Sequence, residues 1–118
     1  MVRERNIPTV SKGTRACLHL DGEHVGDIVI KGWDASWTYG VFEPAEAFAA
    51  FAPVYGGWSL LMHEDEHRPL DPAAAEALRE AERRMDRIRA RVYFPDYDAW
   101  HDVAQLNIDG GLIEWKEV

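Results

Sequence analysis

Residues 71–94 read DPAAAEALREAERRMDRIRARVYF, and their hydrophobic period changes partway along. From Ala74 to Ile88 apolar side chains recur every three or four residues, the spacing that places one stripe on a helix. From Ile88 to Phe94 apolar residues alternate with arginine or tyrosine, as in a strand with one buried face. The sequence therefore predicts a helix, with Asp71 as its N-cap and Pro72 as its first residue, that runs directly into a strand.

The N-terminal part of the chain alternates in the manner of an antiparallel meander. Three strands are predicted here, over residues 15–21, 25–31 and 33–42. Asp21-Gly22 marks the first turn, since Gly accepts positive φ, and Gly32 is expected to break the second strand. The third strand is expected to place its aromatic residues and Val41 on one face.

The middle of the chain predicts a first helix and then a short strand. The helix is expected to start at Glu43-Pro44, because proline at the first helical position loses no hydrogen bond. Pro53 or the Gly56-Gly57 pair is expected to end it. The apolar run over residues 58–62 favours a fourth strand, and residues 64–70 are expected to form a charged loop.

A C-terminal hairpin completes the predicted fold. Its strands cover residues 100–109 and 112–116 on either side of Asp109-Gly110-Gly111. The first strand is expected to place Trp100 on the same face as Leu106. The fold class predicted is α+β, with an antiparallel sheet of about six to seven strands in βββ-α-β-α-βββ order backed by two helices. An unpaired edge at this hairpin would permit a homodimer.

Composition limits the function classes. The 118 residues predict a flexible arm over residues 1–13 and a single domain over residues 14–118. A formal charge of −8 disfavours general binding to nucleic acid or to an anionic membrane. Cys17 is the single cysteine, which indicates a reducing compartment, and no apolar run is long enough to span a bilayer. We therefore expect a cytoplasmic protein.

Residues 63–67, His-Glu-Asp-Glu-His, match the pattern His-Glu-x-x-His. Over these five residues the chain resembles zinc metalloproteases, in which two histidines four apart on a helix bind the metal and the glutamate activates water. The two middle positions here are acidic, and Pro69 disfavours helix immediately after His67. Zinc at His63 and His67 is thus the metal hypothesis, and a metal-dependent hydrolase that uses His63, Glu64 and His67 is an alternative function. No other cofactor is predicted.

Cys17 and His19 lie two apart on the first predicted strand, so their side chains share a face. A thiolate beside an imidazole is a nucleophile arrangement. Neighbours at this spacing are roughly 6.5 to 7 Å apart, too far for a direct hydrogen bond. A small side chain on a partly covered sheet face is the favoured interpretation.

The basic residues concentrate in residues 79–91. Arginine beside an aromatic residue on one face of a strand can recognise a small anionic ligand. The alternative is pairing with acids across the sheet, such as Asp27, Asp102 or Glu114. The candidate residues for ligand binding are Arg87, Arg89, Arg91 and Tyr93.

The leading functional hypothesis is a non-catalytic module that binds another protein. Acidic clusters without nearby lysines favour a basic partner, and five tryptophans are enough for one or two to be exposed as interface anchors. The other aromatic residues are expected in the core. The candidate residues for protein binding are Glu64, Asp65, Glu66, Asp96, Asp98, Trp58 and Trp100.

Overall fold

The computed structural model describes residues 12–34, 36–67 and 69–117, with the backbone alone for residues 60–67. Six strands and two α-helices make up this part of the chain. In order they are β1 Arg15–Leu20, β2 Glu23–Asp34, β3 Trp37–Pro44, a 3-10 helix Glu46–Ala50, α1 Ala52–His67, α2 Pro72–Arg87, β4 Ala90–Phe94, β5 Ala99–Asp109 and β6 Leu112–Glu117. Neither α-helix in these ranges is long and apolar enough to cross a membrane.

The six strands form one antiparallel sheet that closes into a barrel in the order β1-β2-β3-β6-β5-β4. Each half is a three-stranded meander, and the halves meet along two seams, β1 with β4 and β3 with β6. The α+β class and the antiparallel sheet are confirmed, but closure was not expected. The last strand is not an edge strand, because β6 pairs with both β3 and β5; the homodimer stays a prediction.

Alternation along the strands fills the barrel as the sequence predicts. Ala16, Leu18 and Leu20 of β1 all point inward and are at most 1% exposed. The largest buried side chains are Trp115, Phe42 and Phe94, each on a different strand. The other barrel residues of this core are Val25, Ile28, Ile30, Val92, Leu106, Ile108 and Ile113. Val54 and Tyr55 of α1 close over it.

The middle of the chain differs from the expectation. Pro44 ends β3 instead of starting a helix, and α1 runs through Gly56 and Gly57 without a break. Neither glycine has a positive φ, so neither makes the turn that ends a helix. The predicted fourth strand over residues 58–62 is therefore helical, because a five-residue apolar run carries no period that separates strand from buried helix. The predicted loop is helical as far as His67, two residues before Pro69.

The helix and strand predicted over residues 71–94 are confirmed. The Asp71 carboxylate accepts a hydrogen bond from the Ala74 N–H at 2.7 Å, and Pro72 begins α2. The helix ends at Arg87, and β4 begins at Ala90, two residues later than the alternation suggested. The apolar stripe of α2 is half-buried on α1: Ala74, Leu78, Ala81 and Met85.

Two β-bulges change which residues face inward. The register shift between Val103 and Gln105 adds one residue to β5. Inward positions are therefore odd before the bulge, as at His101, and even after it, as at Leu106. Trp100 lies outside, against the prediction. The shift between Ile30 and Gly32 is also a bulge, so β2 continues through Gly32 to Asp34.

The aromatic residues are distributed differently from the expected core set. Of the aromatic residues described, Trp115 is buried on β6, whereas Trp33, Tyr39 and Trp100 are 49%, 41% and 38% exposed. The face of β3 that carries Tyr39 and Val41 is the outer one, and Gly40 and Phe42 face inward.

Residues 1–11 of the predicted arm lie outside the described residues. The Gly13 N–H donates to the Ile30 carbonyl at 2.7 Å, so the chain is already attached to the barrel at this point.

Candidate functional site

A groove lies between the two helices and β5, with a volume of about 520 Å³. Its walls expose polar and apolar surface about equally, and the apolar part includes Trp37 and Trp58 at the barrel and α1 sides and Met85 and Ile88 from the end of α2. This size and character fit the binding of a side chain or a short segment. The remaining lining residues are Tyr55, Glu82, Asp86, Ala90 and residues 103–107.

The groove runs along an edge of β5. Five consecutive residues, 103–107, line it. A groove over one face of a regular strand would touch only alternate residues, and the bulge between Val103 and Gln105 adds only one more. The pairing agrees: β4 accompanies β5 only as far as Asp102, opposite Arg91, whereas residues 103–109 pair with β6 alone. Over residues 103–107, β5 therefore has a described strand neighbour on one side only.

The charge in the groove is negative. Glu82 and Asp86 line it from α2, and no lysine or arginine is among its lining residues. The Trp58 Nε1–H donates to the Glu82 carboxylate at 3.2 Å, which holds an aromatic ring and an acid side by side. Lys116 lies near one end, with its Nζ 5.1 Å from the centre of the Trp37 ring. The groove thus combines apolar walls with two carboxylates.

The arginines of α2 pair with acids outside the groove. Arg83 donates to Glu80 at 2.7 Å and to Glu76 at 3.0 Å, and Arg79 also donates to Glu76. Hydrogen bonds from Arg79 and Arg83 lower the pKa of the Glu76 carboxyl, and those from Arg83 lower the pKa of Glu80. These pairs account for two arginines of the basic stretch without involving Glu82.

A second set of polar residues covers the outer face of β4 and β5. The Arg91 Nε–H donates to Asp102 at 3.0 Å, which confirms the cross-strand alternative for this arginine. Its guanidinium carbon lies 4.5 Å from the centre of the Trp100 ring. Tyr93 packs on the same ring, and its hydroxyl donates to Asp98 at 2.7 Å. This bond raises the pKa of Tyr93 because it stabilises the protonated phenol.

The same outer face continues onto β1 and β2. Cys17 lies opposite Asp27 in the register and opposite Tyr93 on the other side. His24 Nε2 and Asp27 Oδ1 are 2.9 Å apart, and the His19 ring makes an edge contact with Trp100 at 4.8 Å. The shared face of Cys17 and His19 was predicted, whereas their neighbours were not.

Protonation on this face follows from burial. Desolvation raises the pKa of the Cys17 thiol, and the charge of Asp27 and a hydrogen bond to its carboxylate raise it further. Desolvation lowers the pKa of His19, and the nearby His24 and Arg91 act in the same direction against a weaker opposing contact with the Cys17 backbone. At neutral pH the thiol is therefore protonated and the imidazole of His19 is neutral.

The predicted site residues do not form one site. Of the ligand-binding candidates, Arg91 and Tyr93 meet on the outer face. The Arg87 side chain donates to the Arg83 carbonyl at the end of α2, and the Arg89 backbone N–H donates to the Asp21 carboxylate.

The protein-binding candidates are also divided between places: Trp58 lines the groove, Trp100 and Asp98 lie on the outer face, and Asp96 is in the exposed β4–β5 turn. The side chains of Glu64, Asp65, Glu66, His63 and His67 lie outside the described residues.

No sequence pattern indicates that Glu82 and Asp86 meet β5. The signal available was the acidic spacing Glu82-x-x-x-Asp86, which places both carboxylates on one side of α2. Their meeting with β5 depends on β4 being shorter than β5, which no local pattern encodes. His24 and Asp27 were missed because a register shift between Leu18 and His19 of β1 sets their pairing with that strand.

Comparison with protein-family models, with curated proteins and with solved structures finds no match for this chain.

Proposed function

We propose that this protein is a non-catalytic protein-binding module whose groove receives an extended, basic segment of a partner protein. The observation that carries the proposal is the groove along residues 103–107, where five consecutive β5 residues meet two acids and two tryptophans. Of the protein-binding residues predicted from the sequence, the groove contains Trp58, and its acids are Glu82 and Asp86. The class of partner is the same.

A strand edge favours a polypeptide over a small molecule. Backbone N–H and C=O groups along an edge recognise another backbone, and pockets for alternate side chains add specificity. Residues 103–107 pair with β6 on one side, so a partner segment on the other side extends the sheet by one strand. The aromatic walls accept the side chains that such a strand directs into the groove.

The acids favour a basic segment. Lysine and arginine have long aliphatic stems that lie along apolar surfaces while their charged ends reach polar groups. Trp58 and Met85 supply such a surface beside Glu82 and Asp86. The formal charge of −8 also attracts a basic partner at long range and accelerates association at low salt.

The two alternative functions would use other residues. An anion binder would use Arg91, but this side chain is bonded to Asp102 and stacked on Trp100. A hydrolase would use His63 and His67. We place the module in the cytoplasm, where its single thiol, Cys17, remains reduced.

A random peptide library displayed on phage and panned against the purified protein tests the proposal. We expect enrichment of sequences with lysine or arginine alternating with apolar residues, and their affinities can then be measured by calorimetry. Glu82→Gln and Asp86→Asn should each weaken binding about two- to fivefold, since each removes one partly exposed charge pair. Trp58→Ala should weaken it by about tenfold or more.

Glu80→Gln is the matched control, because Glu80 lies on the same helix but outside the groove and pairs with Arg83. It should leave peptide affinity unchanged. Enrichment without a basic bias, or affinities insensitive to Glu82, Asp86 and Trp58, would overturn the proposal. Selected peptides that lose affinity in Arg91→Ala instead would favour the outer face.

A further inference from the structure

A group of metal-ligating side chains lies on the outer face of β1 and β2 and shares no residue with the sequence motif at residues 63–67. A sulfur of Cys17, an imidazole nitrogen of His24 and a carboxylate oxygen of Asp27 all lie within 4.8 Å of one another. A search of the described residues for three or more such ligand atoms close together finds this group. We propose that Cys17, His24 and Asp27 bind one divalent transition-metal ion of the zinc class.

The geometry requires little rearrangement. In a tetrahedral zinc site the sulfur lies about 2.3 Å and nitrogen or oxygen about 2.0 Å from the metal, so ligand atoms are about 3.3 to 3.5 Å apart. His24 and Asp27 are now closer than this, at 2.9 Å. Both side chains are about half exposed, so small rotations can open the gap and bring both toward Cys17.

The strands hold the three residues in register. Cys17 is directly opposite Asp27, and His24 is directly opposite His19 on the same pair of strands. The irregularity between Leu18 and His19 lies between these two pairs. This bulge brings Asp27 opposite Cys17, where an unshifted two-residue hairpin would place Gly26. A regular ladder would therefore not assemble the group.

Hydrogen bonds in the group occupy the positions that a cation would take. The Asp27 carboxylate lies 2.9 Å from the His24 imidazole and near the Cys17 thiol. A dication replaces the thiol proton and the imidazole contact with three bonds to one centre. The donor set of one thiolate, one imidazole and one carboxylate suits zinc or cobalt better than magnesium or calcium, which prefer oxygen alone.

Three protein ligands would leave one coordination position of a tetrahedral ion open. His19 lies beside the group, with its ring centre 5.4 Å from that of His24, and its Nδ1 atom is buried without a well-aligned hydrogen-bond partner among the described residues. Three protein ligands and one exchangeable position are the arrangement of zinc sites that bind a further ligand. The metal would thus serve as a second binding point, separate from the groove.

Titration of the chelator-treated full chain with Co²⁺ tests this site. We expect one ion per chain, tetrahedral d–d absorption and a thiolate-to-cobalt charge-transfer band, with displacement by Zn²⁺. Because Cys17 is the only cysteine, the charge-transfer band reports on this site alone. Cys17→Ser should abolish the band, and His24→Ala or Asp27→Asn should raise the cobalt Kd at least tenfold.

The double variant His63→Ala/His67→Ala is the control and should keep the wild-type spectrum. His24 and Asp27 are on the surface, so their variants remain informative if Cys17→Ser fails to fold. Three results would overturn the assignment: no charge-transfer band in the wild type, an unchanged cobalt Kd in both the His24 and Asp27 variants, or loss of binding in the control. Loss of binding in the control would show that residues 63–67 hold the metal. If the affinity is also only millimolar, the metal is an adventitious ion only.

Discussion

Two glycine-to-alanine substitutions should change stability in opposite directions. Gly40 is buried in β3, where an added Cβ would lie 2.3 Å from the Val29 carbonyl oxygen and 3.1 Å from the Ile30 Cα. Gly56 is exposed within α1, where an added Cβ meets nothing within 4 Å. The same chemical change therefore encounters backbone in one place and open solvent in the other.

The magnitudes follow from these distances. An ordinary contact begins near 3.4 Å, so Gly40→Ala must displace the backbone of β2 by about 1 Å and disturb the pairing of Gly40 with Ile30. Overpacking of this kind costs about 1 to 3 kcal/mol, and the backbone contact places this case at the upper end. Gly56→Ala removes unfolded-chain entropy at a helical position and should stabilise by about 0.5 to 1 kcal/mol.

Urea and thermal unfolding followed by circular dichroism measure both effects. With about 3 to 5 °C per kcal/mol for a domain of this size, Gly40→Ala should lower Tm by about 10 °C and Gly56→Ala should raise it by about 3 °C. Destabilisation by Gly56→Ala would show that the helix ends at the glycine pair, as the sequence pattern suggested. Unchanged stability of Gly40→Ala would contradict the close approach of β3 to β2.

Three further substitutions test the remaining elements by thermal or urea unfolding. Asp71→Ala removes the N-cap bond to Ala74 and should cost about 1 kcal/mol; Asp71→Asn should retain most of it, and equal losses in the two would show that the cap is not the cause. Burial raises the pKa of the Tyr55 hydroxyl above its ordinary value of about 10, so the folded state keeps a proton that the unfolded state releases. Above pH 10 the free energy of unfolding should therefore fall by about 1.4 kcal/mol per pH unit because of Tyr55. The Tyr55→Phe variant should lack this slope, and parallel curves for the two proteins would refute the assignment to Tyr55. Asp102→Ala should change stability by less than about 0.5 kcal/mol, because its pair with Arg91 is largely solvent-exposed; a loss above 1 kcal/mol would show that the pair is better shielded than the structure indicates.

The sequence predicted the regular elements where period and end signals agree. α2 combines a 3.6-residue period with Asp71 and Pro72 at its start, and both hairpin turns carry Asp-Gly. Asp21 and Gly22 have positive φ, as such a turn requires. The inward faces of β1 and β6 followed directly from alternation.

Prediction from the sequence failed where one local pattern is compatible with both a strand and a helix. The run from Trp58 to Met62 is apolar in either a strand or a helix, and neighbouring glycines were taken as a stop although α1 accepts them. Alternation also failed along β5, because the bulge at Ala104 exchanges the inward and outward positions within a single strand. Trp100 was therefore assigned to the wrong face.

The sites depend on non-local pairing and were beyond sequence reasoning. Cys17 and His19 share a face, as their spacing predicts, but Asp27 reaches them only through a bulge in the hairpin. The groove needs the difference in length between β4 and β5 and the position of α2 beside it. These are properties of the closed barrel and not of any one segment.

Closure of the barrel at two seams has a consequence for the rate of folding. Each meander forms from neighbouring strands, but the β1–β4 seam joins distant parts of the chain; at its end the Arg89 N–H bonds the Asp21 carboxylate, 68 positions away. Contacts of such sequence separation demand loop-closure entropy before they return any stabilisation, so they slow folding. We expect the seams to form late and together, with α1 and α2 shortening the effective distance between the meanders. Until then, each half exposes two strand edges that can pair with another chain, which makes the half-closed barrel the state most prone to aggregation.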